Sequence, residues 1–218
     1  MNLKVAAIVA IASSAVGAHA AINWHTTLGS WNTATGGATM TEDFSGFTTD
    51  TQFRTQSVAI TGGSLSQMGT DYSFRNSVDA IPTTFPDNNG TANASIFADG
   101  DGNTRARLTF TAATTAFGFE SWINTVGEGA VFDVYNGATL LGSMAISTGD
   151  GDFLGFDLTG ADVATHVEWA SAGANGTGGS GEGFGTDNYV YGQPVPEPAT
   201  MVALGLGAAA IMRRRARK

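Results

Sequence analysis

The sequence predicts an all-β protein: an antiparallel β-sandwich of jelly-roll-like form, flanked by an N-terminal signal helix and a C-terminal apolar helix. Two observations carry this. Apolar and polar residues alternate with a period of two along most of the chain, and runs rich in Gly, Asn and Asp separate the alternating segments. Helical periodicity is confined to the two ends. With 218 residues and 42% hydrophobic content, the chain has material for one sizeable core.

Residues 1–20, "MNLKVAAIVAIASSAVGAHA", place Lys4 before an apolar stretch and close on Ala18-His19-Ala20. That is the pattern of a secretory signal peptide cleaved after Ala20, with the Sec export machinery as partner. The apolar stretch is short of the roughly 20 residues that a membrane span needs. Residues 21–193 then form the body. "RARLTFTA" sends Ala106, Leu108 and Phe110 to one face and Arg105, Arg107 and Thr109 to the other. "HVEWAS" opposes Val167 and Trp169 to His166 and Glu168 in the same way. Further strands are expected in "TMTEDFSGF", "RTQSVAI", "DYSFRNS", "ASIFA", "TAFGFESWI", "AVFDVYN", "TLLGSMAI", "DFLGFDL" and "NYVYG", and Asn136-Gly137 signals a short hairpin. So many short strands pack best as two antiparallel sheets, with an up-and-down barrel as the alternative. The glycine-rich run 173–185 reads as a flexible connector between the last two strands.

Charge then orients the chain. The formal net charge is −9, yet five of the ten cations lie in the last six residues. Between Ala21 and Pro194 there are 18 Asp and Glu against four Arg and no Lys. A surface of that sign repels phosphate backbones, so nucleic acid is excluded as a partner. The lack of cysteine removes disulfides, thiol nucleophiles and thiolate metal sites together. After a linker at 194–198, the uncharged run 199–212 spans roughly 21 Å as a helix, against a hydrocarbon core of about 30 Å. Local thinning and snorkelling arginines make it a short transmembrane helix, a transient inner-membrane anchor. The basic tail 213–218 stays cytoplasmic and leaves the acidic body outside.

The same residues resemble a known family of sorting signals. Val195-Pro196-Glu197-Pro198, the apolar run and Arg213-Arg214-Arg215 match, in order and spacing, the PEP-CTERM tail. That resemblance implies processing near Pro196-Glu197-Pro198 by an exosortase, a membrane enzyme of Gram-negative bacteria that make exopolysaccharide, and a destination at the cell surface or in the extracellular matrix. The body resembles ectodomains that accompany this tail through Glu42-Asp43-Phe44, Phe117-Gly118-Phe119 and Asp187-Asn188-Tyr189. This second resemblance implies a jelly roll of the galactose-binding or concanavalin-like kind, with a structural calcium.

Candidate site residues follow from residue chemistry. Hard oxygen ligands suit calcium. Asp99, Asp101 and Asn103 begin like a calcium loop, but Thr104 and Phe110 stand where glycine and the bidentate Glu are needed; Asp150 and Asp152 are weaker. Glu42, Asp43 and Asp187 form the preferred metal candidate, because they would join opening and closing strands. For catalysis, His25 and His166 read as surface residues, Ser180 lacks the spacing of a hydrolase serine, and Glu120 with Glu168 is the carboxylate pair to consider for glycoside hydrolysis. Among the aromatic residues that could stack on a sugar, Trp169, Tyr189 and Tyr191 are expected in the core. Trp122, opposite Phe117 and Phe119 in strand parity, is expected exposed and is the ligand-binding candidate. The resulting expectation is a non-enzymatic, exosortase-sorted surface or matrix protein contributing to biofilm and exopolysaccharide architecture. The alternative is a carbohydrate-binding module with a calcium-stabilised jelly roll.

Overall fold

Alternating side chains can bury one face of each strand only if two sheets meet, and that is the arrangement found. The computed structural model describes residues 21–69, 76–80, 92–98, 105–123, 130–146, 151–160, 162–171 and 182–192. The signal peptide, the Asp99-Asp101-Asn103 turn, Asp150, Ser180 and the linker, apolar run and basic tail lie outside these residues.

The larger sheet runs in the order β1 (Ala21–His25), β12 (Asp152–Thr159), β9 (Ala116–Ile123), β14 (Glu182–Gly192), β7 (Asn93–Ala98), β6 (Ser77–Asp79) and β3 (Thr51–Gln52). A further strand, β2 (Met40–Glu42), also pairs with β14. The second sheet runs β11 (Thr139–Ile146), β10 (Ala130–Asn136), β13 (Ala164–Ser171), β8 (Arg105–Thr114), β5 (Gly63–Met68) and β4 (Val58–Ile60). Every pairing between the described strands is antiparallel. The sheets stay open, so the fold is a sandwich compatible with a jelly roll and not a barrel.

The core lies where the parity of the sequence placed it. Phe117 and Phe119 of β9 meet Phe132, Leu108, Val167 and Trp169 of the opposite sheet, all with no exposed surface. Phe119 lies edge-on to Phe132 at 4.9 Å and to Trp169 at 5.5 Å. Burial of each such ring contributes about 1.5–3 kcal/mol, and the edge-to-face geometry adds to it. The β10–β11 hairpin pairs Asn136 with Thr139, and Gly137 stands at φ 57 in the first central turn position, where a type II′ turn favours glycine.

Several elements differ from expectation: β3 and β5 lie where no strand is expected, and β14 begins inside the glycine-rich run read as a connector. Residues 21–25, where no strand is expected and His25 reads as a surface residue, form β1, whose Trp24 packs edge-on to Phe132 and Phe156. A helix, α1 (Leu28–Thr35), occupies a stretch in which no helical periodicity is legible. Thr27 caps it by accepting a hydrogen bond from the Ser30 amide at 3.2 Å, and Gly36 ends it at φ 74. A single large residue, Trp31, anchors it. Trp31 is wholly buried, donates its indole N–H to the Phe156 carbonyl at 3.1 Å, and packs with Phe153, Ala116 and Val190 in a second small core. This cluster sits on the outer face of the larger sheet.

Candidate functional site

On the outer face of the second sheet, strand register puts polar residues side by side. Across β5, β8, β13, β10 and β11, the chain aligns Ser66, Arg107, Glu168, Asp133 and Ser143. The neighbouring row brings Ser64, Thr109, His166 and Tyr135 together. Arg107 donates Nε and Nη2 to Glu168 Oε1 at 2.9 and 2.5 Å, and Arg105 reaches Glu168 at 3.2 Å and Asp133 at 3.3 Å. Ser143 donates to the other oxygen of Asp133. The two carboxylates are nearly covered, whereas the arginine side chains keep more than a quarter of their surface. Charge-assisted, partly forked pairing of this kind fixes side-chain directions.

Titration behaviour follows from these neighbours. Burial works against the charge on Arg105, but its hydrogen bond to Glu168 and the fields of Glu168, Tyr135 and Asp133 outweigh it and raise its pKa. Burial, reinforced by Asp133 and Glu168, also raises the Tyr135 phenol. His166 lies flat on Tyr135, with ring centroids 4.8 Å apart and planes 5° from parallel. Burial and the adjacent Arg107 lower its pKa against the opposing pull of Glu168. His166 is thus not the surface histidine that strand parity alone suggests; it is 9% exposed, a covered member of this lattice.

Glu120 and Glu168 fall on opposite outer faces of the sandwich, so they do not meet. Glu120 accepts from Asn188 Nδ2 at 2.7 Å on the larger sheet. His25 is in turn held by Asp157, its Nε2 lying 2.6 Å from Oδ1, and Asn23 donates to Oδ2 of the same carboxylate at 3.1 Å.

Strand pairing does join the candidate metal residues' segments: Glu42 stands opposite Tyr189. The carboxylates themselves are differently engaged. Glu42, 8% exposed, accepts the Phe44 amide at 2.7 Å on Oε1 and the Thr61 amide at 2.6 Å on Oε2. Asp43 is exposed and accepts both the amide and the hydroxyl of Ser45, the hydroxyl bond being the main reason its pKa is lowered. Asp187 is fully buried and accepts the Asn188 amide at 2.7 Å, inside a bulge where Asn188 takes φ 51. Both Glu42 oxygens thus face backbone amides, and Asp43 and Asp187 are each engaged with the residues that follow them. Among the described residues, no group of three or more His, Asp or Glu could hold a metal.

Trp122 requires a correction. It is on the outer face, as parity indicates, but only 6% exposed, because the turn at Gly151 covers its ring. Trp169, Tyr189 and Tyr191 are in the core as expected. Burial drives the Tyr189 phenol well above its usual range, and Tyr191, also raised by burial and by Glu42, donates to the Thr61 carbonyl at 2.8 Å. A surface groove of about 320 Å³, lined by Met40, Thr111, Ala113, Tyr191 and Gly192, opens where the body ends. The lattice could have been found from sequence by aligning the outward residues of neighbouring strands, but which strands are neighbours is set by topology.

The fold and its polar faces define a β-sandwich domain, and its destination is written in the residues after β14. Residues 194–218 match the family described as the PEP-CTERM protein-sorting motif. The chain therefore carries a PEP-CTERM sorting signal, which supports an exported protein processed by an exosortase. No curated protein matches the chain. Among solved structures it is similar to the catalytic unit of a thermostable GH87 alpha-1,3-glucanase from Streptomyces thermodiastaticus strain HF3-3, at 15% identity and a TM-score of 0.37, covering 75% of this chain and 28% of that one. The chain thus spans less than a third of that structure's length. Among the described residues no helix is long and apolar enough to cross a membrane; the expected span at 199–212 lies outside them.

Proposed function

We propose that the protein is a non-enzymatic component of the cell surface or extracellular matrix, whose acidic sandwich contributes to biofilm and exopolysaccharide architecture after exosortase processing. It is held at the inner membrane only until its tail is removed. The observation that carries this reading is the sorting motif at 194–218, set directly behind a domain whose last strand is built into its sheet. Support comes also from the carboxylates: Glu42, Asp133 and Glu168 all accept bonds from fixed partners, which suits a scaffold better than acid–base chemistry. The reading requires no cofactor. Expression with and without an exosortase tests it. Loss of the tail and appearance at the surface only with the enzyme, both abolished by changing Pro196, Glu197 and Pro198 to alanine, is the expected result. A chain that keeps residues 1–20 or stays in the cytosol would overturn the reading.

A carbohydrate-binding role is the second reading, favoured by one feature: half-buried Tyr135, Arg105 and Arg107 stand together on an open sheet face. A ring and oriented N–H donors are what a sugar needs. Saturable, sugar-competed retention on isolated exopolysaccharide, lost in Arg107→Ala and Tyr135→Ala but kept in Trp122→Phe, would establish it. Unchanged retention in both variants would remove it.

A further inference from the structure

We propose that the end face of the body around Met40 and Ala113 is the surface on which the exosortase seats while it takes the sorting motif, so that recognition includes the folded domain as well as the tail. The proposal rests on the exosortase reading and deepens it by giving that enzyme a docking site on the body. The point where the chain leaves the body is fixed. The Tyr191 carbonyl accepts the amide of Thr39 at 2.8 Å and its hydroxyl at 3.1 Å, and the Gly192 carbonyl accepts the Thr114 hydroxyl at 3.4 Å. Gly192 also stands opposite Ala116 of β9. The sorting motif begins at residue 194, two residues further on.

That short separation selects the occupant. A trans chain advances at most about 3.5 Å per residue, so Pro194 lies within about 7 Å of Gly192 and Pro196 within about 14 Å, whatever path the linker takes. An enzyme that encloses these residues has to abut the end of the body. What it meets there is the groove of about 320 Å³, of which Tyr191 and Gly192 are themselves part.

The chemistry of this face suits such a contact. Between Ala21 and Pro194 the body carries 18 acidic residues against four arginines, yet no charged residue lines the groove. Met40, 38% exposed, is one of three large hydrophobic side chains exposed among the described residues, and Ala112 and Ala113 are exposed beside the same groove. Strand β8 is shaped to present them. Its residues Phe110 to Ala113 stand opposite the single residue Thr165 of β13, and Thr111 donates its amide to the Gly62 carbonyl at 2.9 Å. A neutral, partly apolar cleft is covered without stripping water from a carboxylate, and it fits an uncharged apolar side chain on the outward face of a membrane enzyme.

The test is the rate of tail removal from the full chain in cells that carry the exosortase. Met40→Glu and Ala113→Glu should each slow it about tenfold, because each sets a charge in the covered surface. Ala145→Glu makes the same change on β11, in register with Ala170 of β13 through Val131, whereas the groove's Thr114 stands opposite Ala164; it should keep the parental rate. An insert of about 12 Gly and Ser residues after Gly192, a coil spanning roughly 20 Å, should slow the parent by a similar factor and make the groove substitutions silent. Urea midpoints of the purified full chains check that each variant folds; should one groove variant fail, the other and the insert decide. Parental rates in the folded groove variants, or faster processing with the insert, would overturn the proposal. So would a bilayer covering the same face. The chain has no cysteine, so an environment-sensitive dye on Ala113→Cys reports this directly. Its emission should stay the same when the full chain is reconstituted into phosphatidylcholine vesicles without the enzyme, and a blue shift makes the bilayer the occupant. A parent whose tail is never removed sinks the exosortase reading itself, and this proposal with it.

Discussion

Glu42 shows how one side chain can tie separate parts of the sandwich. Its two carboxylate oxygens hold the Phe44 amide, just beyond β2, and the Thr61 amide, in the turn between β4 and β5. Phe44 sits at φ 54, a conformation disfavoured for a bulky residue, and the bond from its own amide helps hold it there. Glu42→Ala should therefore destabilise the protein by about 1–3 kcal/mol, the range expected when a charged acceptor is removed from one buried donor, the Phe44 amide, and one partly buried donor, the Thr61 amide. Urea unfolding checks it; a loss under 0.5 kcal/mol, within the ordinary scatter of surface changes, would mean that water replaces the carboxylate. His166 gives a second prediction, with a definite sign. Its folded-state pKa lies below the unfolded value of about 6.5, so the unfolded chain binds the extra proton first. The stability it confers is complete above that value and declines as pH falls through it toward the lower folded-state value. Arg107, Glu168, Tyr135, Arg105 and Asp133 surround or adjoin the ring and stay in place in His166→Gln. Melting temperatures between pH 7.5 and 5 should fall more steeply for the parent than for this variant, and parallel slopes would refute the assignment.

Helix α1 and the larger sheet share a face that is usually solvated in a sandwich. Three glycines make the sheet flat enough to receive the helix. A Cβ at Gly155 would lie 2.9 Å from Trp31 Cδ1 and 3.0 Å from the Phe117 carbonyl oxygen, and one at Gly192 would lie 2.8 Å from the Trp31 ring. At Gly118 the obstacle is the tip of Phe153, at 2.4 Å. The fixed backbone neighbour at Gly155 cannot turn aside, whereas a ring can swing. Gly155→Ala should thus cost about 1–3 kcal/mol, more than Gly118→Ala, and Trp31→Ala should cost about 3–5 kcal/mol. Thermal or urea unfolding of the three variants gives the ranking, and a neutral Trp31→Ala would show that α1 is dispensable. This element is also where the sequence is least legible. In "LGSWNTAT" only Trp31 and Thr35 are buried, too few to make an apolar stripe, and the signal that remains is local: Thr27 as cap and Gly36 as stop. By contrast, β8 shows its two faces in plain alternation over Arg105–Phe110, because it lies between two strands and has one side against the core.

At the scale of the whole molecule, what could be read in advance was periodicity, and what could not was adjacency. Alternation around Phe117-Gly118-Phe119 and Leu108 identified the layers. It could not reveal that Glu168 faces Arg107 and Asp133, or that the Gly151 turn lies over Trp122, because those contacts depend on the order of strands within a sheet. The sorting signal was legible for the opposite reason: its chemistry is contiguous in the chain. Strand order also has a consequence for export. The last strand, β14, is central, bonded to β9 on one side and to β7 and β2 on the other, with its bulge between the latter two. Until it is present, β9 lacks one of its neighbours, β2 lacks its only partner among the described residues, and the larger sheet is cut into two parts. Folding must then wait for non-local pairings, which are slow to form. The body should therefore stay unfolded until nearly the whole chain has emerged. Truncation after residue 181 should leave the body from β1 onward sensitive to protease, with no cooperative urea transition. Truncation after residue 193 should restore both resistance and a single transition with the midpoint of the full chain. A protease-resistant core in the shorter product would show that the second sheet folds on its own, and that β14 closes a structure already formed.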